Sequence, residues 1–385
     1  MLSATVPVWQ SECSSSTNRG AHTVLDGCFI SLGYLLEAWI NLGFYKVSFL
    51  PVQWRIPLVI PCFISMFLMG TIWLIPESPR WLIRKNRMEE ARTNLARFRG
   101  DSPDSPEIMS EMAGIELALE ETGNTAASMR DIFTMGKDKL FYRFSLCILL
   151  QFLQQMCGSN LISTYSTILF QDNLELSPTI SRALSGGALT WKFLSCFVAF
   201  FTIDRFGRRK LFMFSGFGMA SCMVALAIAT SFPKENTSAQ IAAVFFIYFF
   251  NFFIPIGFLG ANFLYCTEVA PNRLRVPMAS ISTANHWLWN FVVVMITPVA
   301  IRTIGYQYYI VFAVISACIV PLVYFFYPET MGRSLEELEM MFAEQPSIRA
   351  IVKESRRKPT QGGLVAEHLR EKIGKDEYEY KDSTA

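Results

Sequence analysis

The chain has 385 residues, of which 52% are hydrophobic and only 17% charged, against roughly 25% charged in a soluble globular protein. A net charge of +2 gives no reason to expect a nucleic-acid partner. Nine cysteines with no CxxC pair, and histidines as far apart as His22, His286 and His368, exclude a disulfide framework or a metal motif.

In chain order, Glu12 is followed seven residues later by Arg19. Apolar runs then occupy 21–44 and 55–75. Each is long enough to cross about 30 Å of hydrocarbon. The first run carries Asp26 and Glu37, and Asp26 at membrane depth reads as either a proton acceptor or a paired structural carboxylate. The second ends on "PESPRWL", with Glu77 and Arg80. Residues 81–140 are hydrophilic. Within them "RMEEARTNLARF" and "SPEIMSEMAGIELALEE" predict two amphipathic helices beneath the membrane. A plain linker is the simpler alternative.

Six more apolar runs follow, at 142–170, 184–203, 211–231, 240–266, 278–301 and 306–327. The first of these carries Gln151, Gln154 and Gln155 at i, i+3 and i+4, on one helical face, with Asn160 and Tyr165 beyond. Neutral amides at membrane depth suit a polyhydroxylated ligand, since each both donates and accepts. Interhelical bonding is the plainer reading. The second holds Lys192 mid-run, a costly place for an ammonium unless it is paired with Asp26 or Glu37, snorkels, or meets a substrate. "DRFGRRK" closes that run with Asp204, Arg208 and Arg209. Asn236-Thr237-Ser238 is a glycan acceptor if its loop lies outside. Glycines and Pro255 in 240–266 predict a bending helix. Glu268 and Arg275 repeat the seven-residue spacing of Glu12 and Arg19. The next run carries His286, Trp287 and Asn290, and the last ends on "PETMGRSLEELE", with Glu329 and Arg333. The composition beyond Ala343 predicts a disordered tail.

Basic residues collect at alternate run ends, which places those loops and both termini in the cytosol. The order Glu-x6-Arg, two runs, Pro-Glu-x-x-x-Arg occurs twice. It is the sign of a structural repeat, complete in the second half and partial in the first. The expectation is an all-α polytopic membrane protein. Residues 1–76 form the end of a first bundle, 77–140 a cytosolic linker, 141–328 a six-helix bundle and 329–385 a cytosolic tail. By subtraction, four helices precede Met1 in a complete repeat.

The motifs "PESPRWL", "QQMCGSN", "DRFGRRK", "EVAPNRLR" and "PETMGRSLEELE" resemble the sugar porter family of the major facilitator superfamily, in its fungal hexose and polyol branch. The resemblance implies a partial major facilitator fold of about 8 of 12 transmembrane helices. It implies alternating-access transport of a hexose or polyol, with or without protons, in the plasma membrane. It assigns Gln154, Gln155, Asn160 and Asn290 to the sugar site, with Trp287 beside it. Tyr165 and Phe263 are candidates by position. It implies a cytosolic gate built from Glu12, Arg19, Glu77, Arg80, Asp204, Arg208, Arg209, Glu268, Arg275, Glu329 and Arg333. Lys192, His286, Asn262 and Gly27 depart from the family pattern at positions that bear on specificity. His286 reads as a packing histidine or a titrating one, and with Asp26 and Lys192 is a candidate substrate or proton site. No catalytic triad, phosphate loop or metal set is present in the sequence, so neither an enzyme nor a cofactor is expected. Two other readings stand beside transport: a transporter-like sugar sensor, and a fragment that does not transport alone.

Overall fold

The computed structural model describes residues 2–357 except 15–18, 48, 124–128, 174–175, 234 and 334. The α-helices in chain order are α1 (Leu2–Cys13), α2 (Arg19–Tyr45), α3 (Leu50–Thr71), α4 (Pro79–Arg84), α5 (Met88–Arg99), α6 (Pro106–Gly123), α7 (Leu140–Met156) and α8 (Ser159–Ile168). They continue with α9 (Pro178–Phe206), α10 (Arg208–Ser231), α11 (Thr237–Phe258), α12 (Ala261–Val269), α13 (Arg275–Ile304), α14 (Gln307–Phe326), α15 (Leu335–Glu344) and α16 (Ile348–Glu354). Among the described residues, 8 segments are long and apolar enough to span a bilayer, and they match the eight runs read from the sequence.

Two of the spans are broken. α7 and α8 form one span, Leu140–Gln171, interrupted at Cys157 and Gly158. Gly158 has φ +89, and a Cβ there would lie 2.4 Å from Met223 Cε and 3.2 Å from the Phe312 ring, so only glycine allows both the turn and the packing of α10 and α14 against it. α11 and α12 form the span Thr237–Val269, interrupted at Leu259 and Gly260 above Pro255. Breaks at membrane depth are tolerated only where protein satisfies the freed backbone. Ser316 Oγ reaches the Cys157 carbonyl at 3.4 Å, and Ser215 Oγ donates to the Phe253 carbonyl.

The main core lies among α7 to α14. α2 contributes Val24 and Cys28 to it, and α3 has no buried residue. α2 packs along α9 through Trp39 Nε1, which donates to Thr190 Oγ1 at 2.9 Å, and through Cys196 Sγ and Ser31 Oγ at 3.2 Å. Its Gly27 faces the break between α11 and α12 so closely that a Cβ would sit 2.7 Å from the Leu259 carbonyl oxygen.

The hydrophilic stretch does hold two helices. α5 buries Ala91, Leu95 and Ala96 against α4 and α6. Arg99 grips Glu111 with two bonds, of 2.6 and 3.0 Å, and also donates to the Cys13 carbonyl at 3.1 Å, so the pair is tied to the end of α1. The tail departs from the expected disorder: α16 is folded and docked. Ser355 accepts the Glu329 N–H at 2.9 Å, and Arg333 donates to the carbonyls of Glu354 and Arg357 at 3.3 and 3.1 Å. Seven residues are too short a run for periodicity to reveal a helix. The rest of the tail, from 358, lies outside the described residues.

A single residue, Gly207, joins α9 to α10. Its φ of +87 and ψ of 160 fall in a region open essentially to glycine alone, and a Cβ would meet Glu329 Oε2 at 2.4 Å. Gly207→Ala is therefore expected to destabilise the protein by about 1–3 kcal/mol. Gly33→Ala, where a Cβ meets nothing within 4 Å, is expected to have no such effect. Thermal midpoints of the two variants in detergent check the contrast.

Candidate functional site

Five polar side chains from four helices form one hydrogen-bonded chain inside the bundle. Asn262 Nδ2 on α12 donates to Gln151 Oε1 on α7 at 3.0 Å. His286 Nδ1 on α13 reaches the same oxygen at 3.0 Å. Because an amide oxygen only accepts, His286 Nδ1 carries the ring proton, and Nε2 accepts from Gln155 Nε2 at 2.7 Å. Asn160 Nδ2 on α8 completes the chain by donating to Gln155 Oε1 at 2.5 Å. Each member is buried. The Oε1 atom of Gln154 and the Oδ1 atom of Asn262 are buried without a hydrogen-bond partner among the described residues. Unpaired buried acceptors are costly, so the cluster has capacity for the hydroxyl hydrogens of a ligand.

Aromatic rings border the cluster. Phe263 lies 5.1 Å and Trp287 5.5 Å, centroid to centroid, from the His286 ring. Trp287 is 54% exposed, so this side of the cluster is open. Asn290, one turn beyond His286, is half-buried and makes no hydrogen bond among the described residues. Tyr165 is used structurally: its hydroxyl donates to the Val294 carbonyl at 2.8 Å, joining α8 to α13.

The charged candidates separate. Asp26 accepts from Gln10 Nε2 at 2.8 Å, and Glu37 accepts from Asn41. Neither pairs with Lys192, whose ammonium donates to Ser163 Oγ at 2.8 Å and lies 5.0 Å from the centroid of the Tyr34 ring. Asn236 uses its side-chain oxygen to cap α11, accepting from Ala239 N at 3.2 Å.

The arginines and carboxylates of the run ends gather at one end of the bundle. Glu329 accepts four backbone N–H groups: those of Arg208, Thr330 and Met331 at 3.0, 3.0 and 3.1 Å on Oε1, and that of Arg209 at 3.1 Å on Oε2. Arg208, fully buried, bridges Asp204 at 2.9 Å and Glu268 at 3.1 Å. Arg209 donates to the Val323 carbonyl at 3.3 Å and the Tyr324 carbonyl at 2.5 Å. Arg275 Nε donates to the Thr267 carbonyl at 3.2 Å. Tyr327 donates to the Leu146 carbonyl at 3.0 Å, and burial pushes its phenol well above the ordinary range.

In the first half, Ser78 Oγ donates to Glu12 Oε2 at 2.6 Å. In the second, Thr330 Oγ1 donates to Glu268 Oε2, also at 2.6 Å. The repeat seen in the sequence therefore reappears as the same bond, between the glutamate of Glu-x6-Arg and the hydroxyl that follows Pro-Glu. The hydroxyl was legible in both motifs and was not singled out. Glu77 contributes its carbonyl, which accepts from Asn94 Nδ2 at 3.2 Å. Arg80 also has a partner, and the side chain of Arg19 lies outside the described residues. Sequence reasoning also missed Arg143, which is buried, donates to the Val269 carbonyl at 2.6 Å and lies 4.5 Å from the centroid of the Phe342 ring.

Broken helices around a buried amide cluster, with a charge lattice at one end, define a polytopic helical membrane protein. The chain belongs to the sugar (and other) transporter family, whose pattern matches residues 1–342. It is 36% identical over 342 residues to the sugar transporter STL1 of Saccharomyces cerevisiae, covering 89% of this chain and 59% of that one. It is 34% identical to the MFS-type transporter oryC of Aspergillus oryzae, with 90% and 65% covered, and 33% identical to the low-affinity glucose transporter HXT1 of S. cerevisiae, with 88% and 60% covered. The chain thus spans about three fifths of the length of these relatives. Its fold is that of the proton:xylose symporter XylE, solved with 6-bromo-6-deoxy-D-glucose, at a TM-score of 0.76 and 21% identity, with 88% of this chain and 70% of that one covered.

Glu268→Gln is expected to leave the Arg208 charge under-compensated and to cost about 3–5 kcal/mol of stability, the range for breaking one partner of a buried pair. Replacing both residues by methionine is expected to recover most of that loss. Thermal midpoints of the single and double variants in detergent test both statements.

Proposed function

We propose that this chain forms the substrate-holding and gating part of a carrier that moves a hexose or polyol across the plasma membrane by alternating access, with both termini in the cytosol. The observation that carries the reading is the amide chain Asn262–Gln151–His286–Gln155–Asn160 beside the unpaired Gln154 oxygen. Neutral, bifunctional groups in a buried cluster match hydroxyls that each need a donor and an acceptor, and the Phe263 and Trp287 rings offer apolar faces to sugar C–H bonds. The family membership and the names of the relatives, among them a glucose transporter and a galactose transporter, favour the same substrate class.

In this reading the charge lattice around Arg208, Glu268 and Glu329 is the cytosolic gate. Its bonds hold one state and are released in the other. Asp26, bonded by a neutral amide rather than by a cation, is the carboxylate placed to take a proton where transport is proton-coupled.

Uptake of radiolabelled hexoses and polyols by yeast lacking its own hexose transporters, together with equilibrium binding to the purified chain, tests the reading. Saturable sugar binding is expected, and Gln155→Ala is expected to weaken it about ten-fold or more, since the change leaves buried partners unpaired at about 1–3 kcal/mol. Absence of saturable binding for every hexose and polyol tried would defeat it.

A further inference from the structure

Lys192 stands at the midpoint of α9, at the depth where an ammonium is hardest to hold. Its side chain is 1% exposed. An ammonium carries three hydrogens to donate, and Ser163 Oγ takes one of them at 2.8 Å. The remaining contact is the face of Tyr34 on α2, 5.0 Å away. α2 brings two carboxylates into the membrane, yet Asp26 is held by Gln10 and Glu37 by Asn41. Among the described residues no carboxylate lies within ion-pair distance of Lys192. Among the described residues this buried cation therefore has no carboxylate partner, and two of its hydrogens have no acceptor.

Its position relative to the amide cluster is fixed by α8. Ser163 lies one helical turn from Asn160, on the same face, where side chains are about 5–6 Å apart. Asn160 is the last member of the amide chain. The ammonium thus adjoins the end of the site, and the Gln154 oxygen on α7 is a second buried group without a hydrogen-bond partner among the described residues.

A lysine kept for folding would be expected to take a carboxylate from the helix facing it. A lysine kept for a neutral hydroxyl would be replaceable by an amide without the burden of desolvating a charge. We infer that Lys192 makes the site selective for an anionic substrate, a polyhydroxy carboxylate of the aldonate or uronate kind. The substrate hydroxyls meet Gln154, Gln155 and Asn160, and its carboxylate takes the two unused ammonium hydrogens, displacing the Tyr34 ring. The inference rests on the sugar-site reading above and narrows its substrate class.

The test uses the full chain in detergent, with D-glucose and D-glucuronate titrated separately at neutral pH and intrinsic tryptophan fluorescence as readout. Glucuronate is expected to bind about ten-fold tighter than glucose or better, as a charge-assisted bond in a dry site allows. In Lys192→Met the ratio of the two affinities is expected to fall to about one, whereas Lys192→Arg is expected to keep it above one. Equal affinities in the unchanged chain overturn the inference and leave the neutral-sugar function standing. A preference for glucuronate that survives Lys192→Met overturns it as well. Binding of neither ligand overturns the inference, while the sugar-site reading falls only if the other hexoses and polyols also fail to bind. The comparison within the unchanged chain decides the matter even where a variant does not fold.

Discussion

The carboxylate of Glu329 accepts four backbone N–H groups, two from the start of α10 and two from its own loop, and much of this end of the bundle is organised around it. A helix that begins in a membrane protein exposes unsatisfied donors, and a carboxylate fixed at that point both satisfies them and complements the positive end of the helix dipole. With α10 anchored, Arg208 is carried inward to meet Asp204 and Glu268. Glu268 is then held on its other oxygen by Thr330, the residue after Glu329. The bonds close a loop through α9, α10, α12 and the segment after α14. Glu329 also reaches the tail, since its backbone N–H is taken by Ser355.

The interior obeys the same requirement by different means. Where the span α7–α8 breaks, amides rather than charges face inward, and they satisfy one another in a fixed order because His286 can donate on one nitrogen and accept on the other. An asparagine at that position could not reach two glutamines from opposite sides of a ring. His286 therefore links the two glutamines, accepting from Gln155 and donating to Gln151. Lys192 is the exception within this neutral environment, a charge held by Ser163 one turn from the end of the amide chain.

Much of this was legible in the sequence. The eight spans follow from apolar length, and the bend near Pro255 from glycine and proline spacing. The grouping of Gln151 and Gln155 follows from their helical phase, and the run-end charges from the repeat. The break at Cys157–Gly158 was not foreseen, because one glycine in an apolar run is ordinary until α10 and α14 press against it. The partners of Lys192 were not foreseen either. Charge alone pointed to Asp26 or Glu37, whereas the fold supplies Ser163 and Tyr34, and neither hydroxyl nor ring stands out among so many similar residues. Gly27 stood out as a departure from the family pattern at a position that bears on specificity. It is instead the point where α2 touches the backbone of Leu259, and any side chain there would hold the two apart.

The one-residue connection between α9 and α10 has a mechanical consequence. Two helices of 29 and 24 residues joined in the chain by the single residue Gly207, and pinned beside it by the Arg208–Asp204 pair, cannot slide past each other at that end. Relative motion is confined to a change of angle about a pin, and small rotations at Gly207 become large displacements at the far ends near Pro178 and Ser231. Whatever loosens Glu329 from its four donors thus acts at the short arm of a lever whose long arm lies across the membrane.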